Sequence, residues 1–169
     1  LLFKKDQNSE KFNPNTLKLR ELIDFISQDI KKTGLDNFLL VLNTIKSSKE
    51  CYYELKKRLS NYKSIYLSTS IPPIKRLERI RRIKKYSKKN TKFFVVSTQL
   101  IEAGVDISLK KIFRDFAPLD SIVQTCGRTN RNCSCPLSKV KLFRLADEGN
   151  KEEEFSNYIY DDNLLVESL

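Results

Sequence analysis

The chain has 169 residues, and Lys and Arg outnumber Asp and Glu by 32 to 21, for a net charge of +11. That length suits one domain with a full core, and the basic excess favours a polyanionic partner, nucleic acid foremost. With no histidine in the sequence, a His-based nucleophilic triad, a His-ligated metal and a histidine–aspartate nuclease centre are excluded from these residues.

In chain order, residues 1–15 are polar, rich in Lys and Asn and interrupted by Pro14, which reads as a linker or arm. Residues 16–32 carry Leu17, Leu19, Leu22, Ile23, Ile26 and Ile30 at helical spacing, stopped by Gly34. The run NFLLVLN, 37–43, predicts a strand buried on both faces. A second helix is expected over 47–59, with Cys51, Tyr52, Leu55 and Leu59 on one side. SIYLST (64–69) reads as the next strand, and Pro72-Pro73 suit a helix start. The helix that follows, to about residue 87, is expected to turn Ile74, Leu77, Ile80 and Ile83 inward and Lys75, Arg76, Arg79, Arg81, Arg82, Lys84 and Lys85 outward. Strands are expected at 92–97, 111–115 and 139–145, with a short helix over 119–126. From Asp147 the chain turns acidic, and residues 147–169 read as a C-terminal extension, helix or linker.

Strands alternating with helices imply a mainly parallel sheet covered on both faces. Ligands then belong beyond the carboxyl ends of the strands, where Asn43, Thr69, Ser97-Thr98 and Asp115 all fall. Small hydroxyl and amide groups there, in Asn43-Thr44, Ser68-Thr69 and Thr98, can hold phosphates without reading bases; helix capping and turn formation are the competing use. Arg76, Arg79 and the lysines after them can neutralise further phosphates, or simply form a solvated helix face.

The most informative stretch is 93–131, FFVVSTQLIEAGVDISLKKIFRDFAPLDSIVQTCGRTNR. Gly104 permits a bend or a close approach to a ligand, and Asp106 can accept from a ribose hydroxyl. Gln124, Arg128 and Arg131 lie on or just after a helix at a spacing that shares one side. Two guanidinium forks so placed can stabilise charge on a transferring phosphoryl group.

STQLIEAGVDIS resembles motif V, and QTCGRTNR motif VI, of the second RecA-like domain of superfamily two helicases. With the connecting RDFAPLDSIVQ and the upstream LSTSIPPIKR, the chain resembles the CRISPR-associated helicase-nuclease of type I systems over roughly residues 16–146. The resemblance implies a RecA-like three-layer α/β/α sandwich, with Thr98 on the backbone of single-stranded DNA and Thr44 and Thr69 assisting. It implies Gly104 and Asp106 lining an ATP site, and Gln124, Arg128 and Arg131 facing the triphosphate, the two arginines as fingers. It further implies 3′-to-5′ movement driven by ATP and Mg²⁺, recruitment by an RNA-guided surveillance complex, and a histidine–aspartate nuclease domain or subunit.

The sequence departs from a complete motor in one respect: it has no G-x-x-x-x-G-K-[ST] loop. ATP and Mg²⁺ would therefore be held mainly by a first RecA-like domain outside this chain, and the piece alone is expected not to hydrolyse ATP well, unwind or cut. The absence of any Met suits a fragment or processed product. Asp147-Glu148-Gly149-Asn150 reads as a turn. Cys126, Cys133 and Cys135 lack a clear fourth ligand and read as free thiols, with no metal site. Nothing resembles a signal peptide or membrane span, so a cytoplasmic protein is expected. Two rivals remain open: another superfamily two motor, acting on RNA or in repair, and a non-catalytic nucleic-acid-binding module of the same fold.

Overall fold

The computed structural model describes residues 16–102, 107–128 and 139–146. Six strands form one sheet: β1 (Thr16–Leu17), β2 (Asn37–Val41), β3 (Lys63–Leu67), β4 (Phe93–Ser97), β5 (Lys111–Asp115) and β6 (Lys139–Leu145). Their order is β1-β6-β5-β2-β4-β3, and every pairing is parallel. Among the described residues four helices connect them: α1 (Leu19–Thr33), α2 (Ile45–Arg58), α3 (Pro73–Lys88) and α4 (Leu119–Cys126).

The period-two alternation of the strands divides the core between two faces. Phe38, Leu40, Phe94, Val96 and Phe113 pack under α1 and α2, against Leu22, Ile23, Ile26, Ile30, Cys51, Leu55 and Leu59. Leu39, Val41, Phe93, Val95 and Ile112 pack on the other side, against Ile83, Ile101, Ile107 and Leu109. The result is the expected three-layer α/β/α sandwich. α1 ends where Gly34 takes φ 61°, its amide donating to the Ile30 carbonyl at 3.0 Å. That left-handed cap is easiest for glycine.

Three expectations need correction. Thr16 and Leu17 form an edge strand paired with Arg144 and Leu145, not the start of α1, because the β6 edge captures their backbone. β3 covers residues 63–67 and not 64–69, since its pairing with β4 stops at Leu67. Finally, Ile74 and Leu77 point to solvent, 76% and 56% exposed. Of the apolar residues of α3, Ile80, Ile83 and Tyr86 pack against the sheet.

Among the described residues no helix is long and apolar enough to cross a membrane.

Candidate functional site

In a parallel sheet the helices that follow the strands begin above the carboxyl ends, so that edge collects backbone donors and loop side chains. The strand order divides this rim at β2. On one side β2, β4 and β3 are neighbours, and their ends carry Thr44, Thr98 and Thr69. On the other side lies β5, followed by α4 with Gln124 and, just beyond its end, Arg128. Thr44, Thr69 and Thr98 therefore share one half of the rim, whereas α4 starts at the other half and descends from it, leaving Arg128 level with Leu109 at the amino end of β5.

On the first half, Thr44 is the N-cap of α2, its Oγ1 accepting from the Ser47 amide at 3.0 Å and lying 2.6 Å from the Ser47 hydroxyl. Capping occupies part of its hydrogen-bonding capacity. Thr69 is exposed in the turn after β3, whereas Thr98 is buried, 3% exposed. The Thr98 amide donates to the Leu67 carbonyl at 3.2 Å, and its own carbonyl accepts from Ile101 at 3.3 Å, where the 3-10 turn Gln99–Glu102 begins. Gln99 reaches from that turn across to the Asn43 carbonyl, at 3.1 Å. Arg76 sits half-buried in the first turn of α3.

Asn43 and Ser68 are corrections to the expectation of free phosphate-binding groups. The Asn43 amide nitrogen donates to the Phe116 carbonyl at 2.7 Å, and its oxygen accepts from Arg114 at 2.7 Å. The Ser68 hydroxyl turns back on Ser70 at 2.8 Å. Both side chains are occupied within the fold.

Arg114 is the central feature of the rim. It is fully buried, and besides Asn43 it donates to the Asp115 carbonyl at 2.7 Å and to the Ser121 hydroxyl at 3.0 Å. Its guanidinium thus ties the end of β2 to the first turn of α4, bridging the two halves. Asp115, 1% exposed, accepts from the Leu145 amide at 3.1 Å and the Asn43 amide at 3.4 Å. Burial pushes its carboxyl up to about 7, against the lowering pull of Arg114 and the backbone donors. A charged Arg-Asp pair at the end of β5, flanked by Phe113 and Phe116, was the sequence signal for this network. Burial of charge without partners is too costly to persist, so such a pair marks an internal connection.

On the second half, α4 runs to Cys126 and its chain continues through Gly127. Arg128 is buried at 6% exposure, and its carbonyl accepts from the Leu109 amide at 3.1 Å, pinning the end of α4 to the segment before β5. Gln124 is exposed. Gln124 and Arg128 differ in burial, although Gly127 between them stays in the right-handed helical region and the Arg128 amide donates to the Thr125 carbonyl at 3.0 Å. Gly104, Asp106 and Arg131, together with Cys133, Cys135 and the acidic extension, lie outside the described residues. Among the described residues no group of three or more His, Cys, Asp or Glu side chains could hold a metal ion.

The family described as "CRISPR-associated nuclease/helicase Cas3, C-terminal" matches residues 35–134. A CRISPR-associated nuclease/helicase Cas3 of Methanothermobacter thermautotrophicus is 31% identical over 112 residues, covering 66% of this chain and 13% of that protein. One from Haloferax volcanii is 54% identical over 57 residues, covering 32% of this chain and 6% of that protein. Among solved structures, T. fusca Cas3 with ADP superimposes with a TM-score of 0.70 at 16% identity, over 86% of this chain and 18% of that one. Domain 2 of the DEAD-box helicase Mss116p, bound to an RNA duplex, gives 0.61 at 19% identity, over 77% of this chain and 50% of that one. The likeness to these structures shows the RecA-like fold. The chain corresponds to a small part of the curated relatives it matches.

Proposed function

The chain belongs to the CRISPR-associated Cas3 nuclease/helicase family through that family's C-terminal domain, and from that membership we propose that residues 16–146 act as the second RecA-like domain of an ATP-driven DNA helicase. The rim half formed by β2, β4 and β3 holds the backbone of single-stranded DNA through Thr98, with Thr44, Thr69 and Arg76 adding contacts. The other half faces the first RecA-like domain across an ATP site. Gln124, Arg128 and Arg131 approach the triphosphate there, and Gly104 and Asp106 line the ribose side. Hydrolysis of the nucleotide, with its Mg²⁺ held mainly by the first domain, supplies the energy for closure.

The observation that carries this reading is the partition of the rim. Thr98 and Thr69 follow the strands on one side of β2, α4 follows β5 on the other, and Arg114 joins the β2 end to the first turn of α4 through Asn43 and Ser121. A change at α4 can reach the β2 end through one buried side chain. The arginines would neutralise charge developing on the transferred phosphoryl group. The polynucleotide half would hold the strand without reading bases, which suits 3′-to-5′ movement along foreign DNA of any sequence. Recruitment by an RNA-guided surveillance complex and degradation by a histidine–aspartate nuclease belong to the same proposal for the whole protein. In the whole protein, Arg131→Ala should keep DNA binding and lose DNA-stimulated ATP hydrolysis by a hundredfold or more, about 3 kcal/mol of transition-state stabilisation. Unchanged turnover would overturn the assignment.

A further inference from the structure

Among the described residues β3 is the outermost strand of the sheet, paired with β4 alone. The Lys63 amide and the Leu67 carbonyl are spent on the β4 side, in bonds to Lys92 and Thr98. Alternation along a parallel strand then turns the backbone groups of Ser64 and Tyr66 outward. The outward Tyr66 carbonyl is capped by Arg79 at 2.6 Å. Beside this open edge, between α2 and α3, lies a pocket of about 570 Å³.

Its charge is one-sided. Lys56 of α2, Lys63 of β3 and Arg79 and Arg82 of α3 line it, and among the described residues no acidic side chain does. No salt bridge within the described residues engages any of these four. Clustering like charges around a concave surface is unfavourable unless an anion joins them. Two of the four are held in place: Arg79 by the Tyr66 carbonyl, and Arg82 by the Tyr86 hydroxyl at 3.2 Å, with that ring 5.9 Å beneath its guanidinium. Forks fixed in this way lose little entropy on meeting phosphate. The pocket also has an aromatic wall. Tyr52 lines it, and the ring of Tyr53, 59% exposed, lies 5.5 Å from that of Tyr52.

The pocket lies along the β3 edge below the rim, reaching the amino end of the strand at Lys63. α3 starts above the end of β3 and runs back along its edge, so Arg76, Arg79 and Arg82 descend at three-residue intervals. Six residues of helix span about 9 Å, a reach that suits successive phosphates of an extended strand.

We infer that this groove along the open edge of β3 is a second nucleic-acid site, which holds the backbone of single-stranded DNA after it leaves the rim, with a base against the Tyr52–Tyr53 surface. The inference rests on the reading of the rim as a DNA site. Four cations without an acid favour a polynucleotide over an acidic peptide, since phosphates give one charge per nucleotide and the tyrosines add stacking that tolerates any base.

The test is fluorescence anisotropy on the whole protein, titrating single-stranded oligonucleotides of increasing length into wild type, Lys56→Glu/Arg82→Glu, and a control with the same charge change elsewhere, Lys31→Glu/Lys32→Glu on α1. All four positions are exposed, and circular dichroism checks each fold. The expected result is a loss of tenfold or more for long oligonucleotides with the groove variant alone, with a salt slope shallower by about 1.4 for two lost contacts. Short oligonucleotides that fill only the rim should bind all three proteins alike. Equal binding of long oligonucleotides to all three would overturn the groove site while leaving the rim reading intact. No binding of any oligonucleotide by wild type would overturn both. If the groove variant keeps DNA affinity but loses affinity for a polyglutamate peptide, the groove is a peptide site and the inference is wrong.

Discussion

Replacing Arg114 by Met keeps most of the side-chain length and removes the charge and every donor. The wild-type guanidinium is fully buried and makes hydrogen bonds to Asn43, the Asp115 carbonyl and Ser121. Each buried acceptor left without a donor costs about 1–3 kcal/mol, and breaking one side of a buried ionic network costs about 3–5 kcal/mol. Asp115 softens the loss. Its carboxyl already sits at about 7 with Arg114 present, so removal of the cation pushes it higher and the group takes a proton at neutral pH. A net destabilisation of about 3 kcal/mol follows, read as a lower urea midpoint at pH 7 by far-ultraviolet circular dichroism. Hydrogen exchange adds a local readout. Amides of α4 should lose protection at equal denaturant distance from the midpoint, while those of α1 should not, because Ser121 is anchored by Arg114 and α1 is not. A loss below about 1 kcal/mol, or unchanged α4 protection, would refute the idea that this side chain joins the two halves of the rim.

The other two expectations concern stability alone. Asp115 holds its proton in the fold up to about pH 7 against an ordinary value of 3.8, so the folded state binds the extra proton and stability falls as pH rises from about 4 to 7, by at most about 1.4 kcal/mol per pH unit. Asp115→Asn should flatten this part of the pH–stability curve, and an unchanged slope would show that the carboxyl titrates normally. Gly34→Ala should cost about 1 kcal/mol by thermal or urea unfolding. The φ of 61° alone causes this, since a Cβ there meets nothing within 4 Å.

Much of this architecture was legible in the chain. A short continuous apolar run such as FFVVS suits a strand buried on both faces, and in the fold Phe94 and Val96 pack under α1 and α2 while Phe93 and Val95 pack on the opposite side. The short-range signals held because they are local: Gly34 stops a helix wherever that helix lies, and Pro72-Pro73 start one. The motif strings 97–106 and 124–131 identified the family because their order and spacing are specific, although Gly104, Asp106 and Arg131 lie outside the described residues.

Tertiary structure alone decided what each residue meets. Helical periodicity put Ile74 and Leu77 on the same stripe as Ile80 and Ile83, yet periodicity defines a face without stating whether anything lies opposite, and in the fold Ile74 and Leu77 are exposed. Asn43 read as a phosphate ligand by position, but its amide is consumed by Phe116 and Arg114, partners more than seventy residues away. Strand order is the same kind of fact. Nothing in the order of the elements along the chain says that β2 will lie between β5 and β4, and that placement is what divides the rim into two halves and leaves β3 open at the edge. Local sequence determines backbone conformation through short-range sterics and hydrogen bonding, whereas neighbours across the sheet are chosen by burial of the whole core.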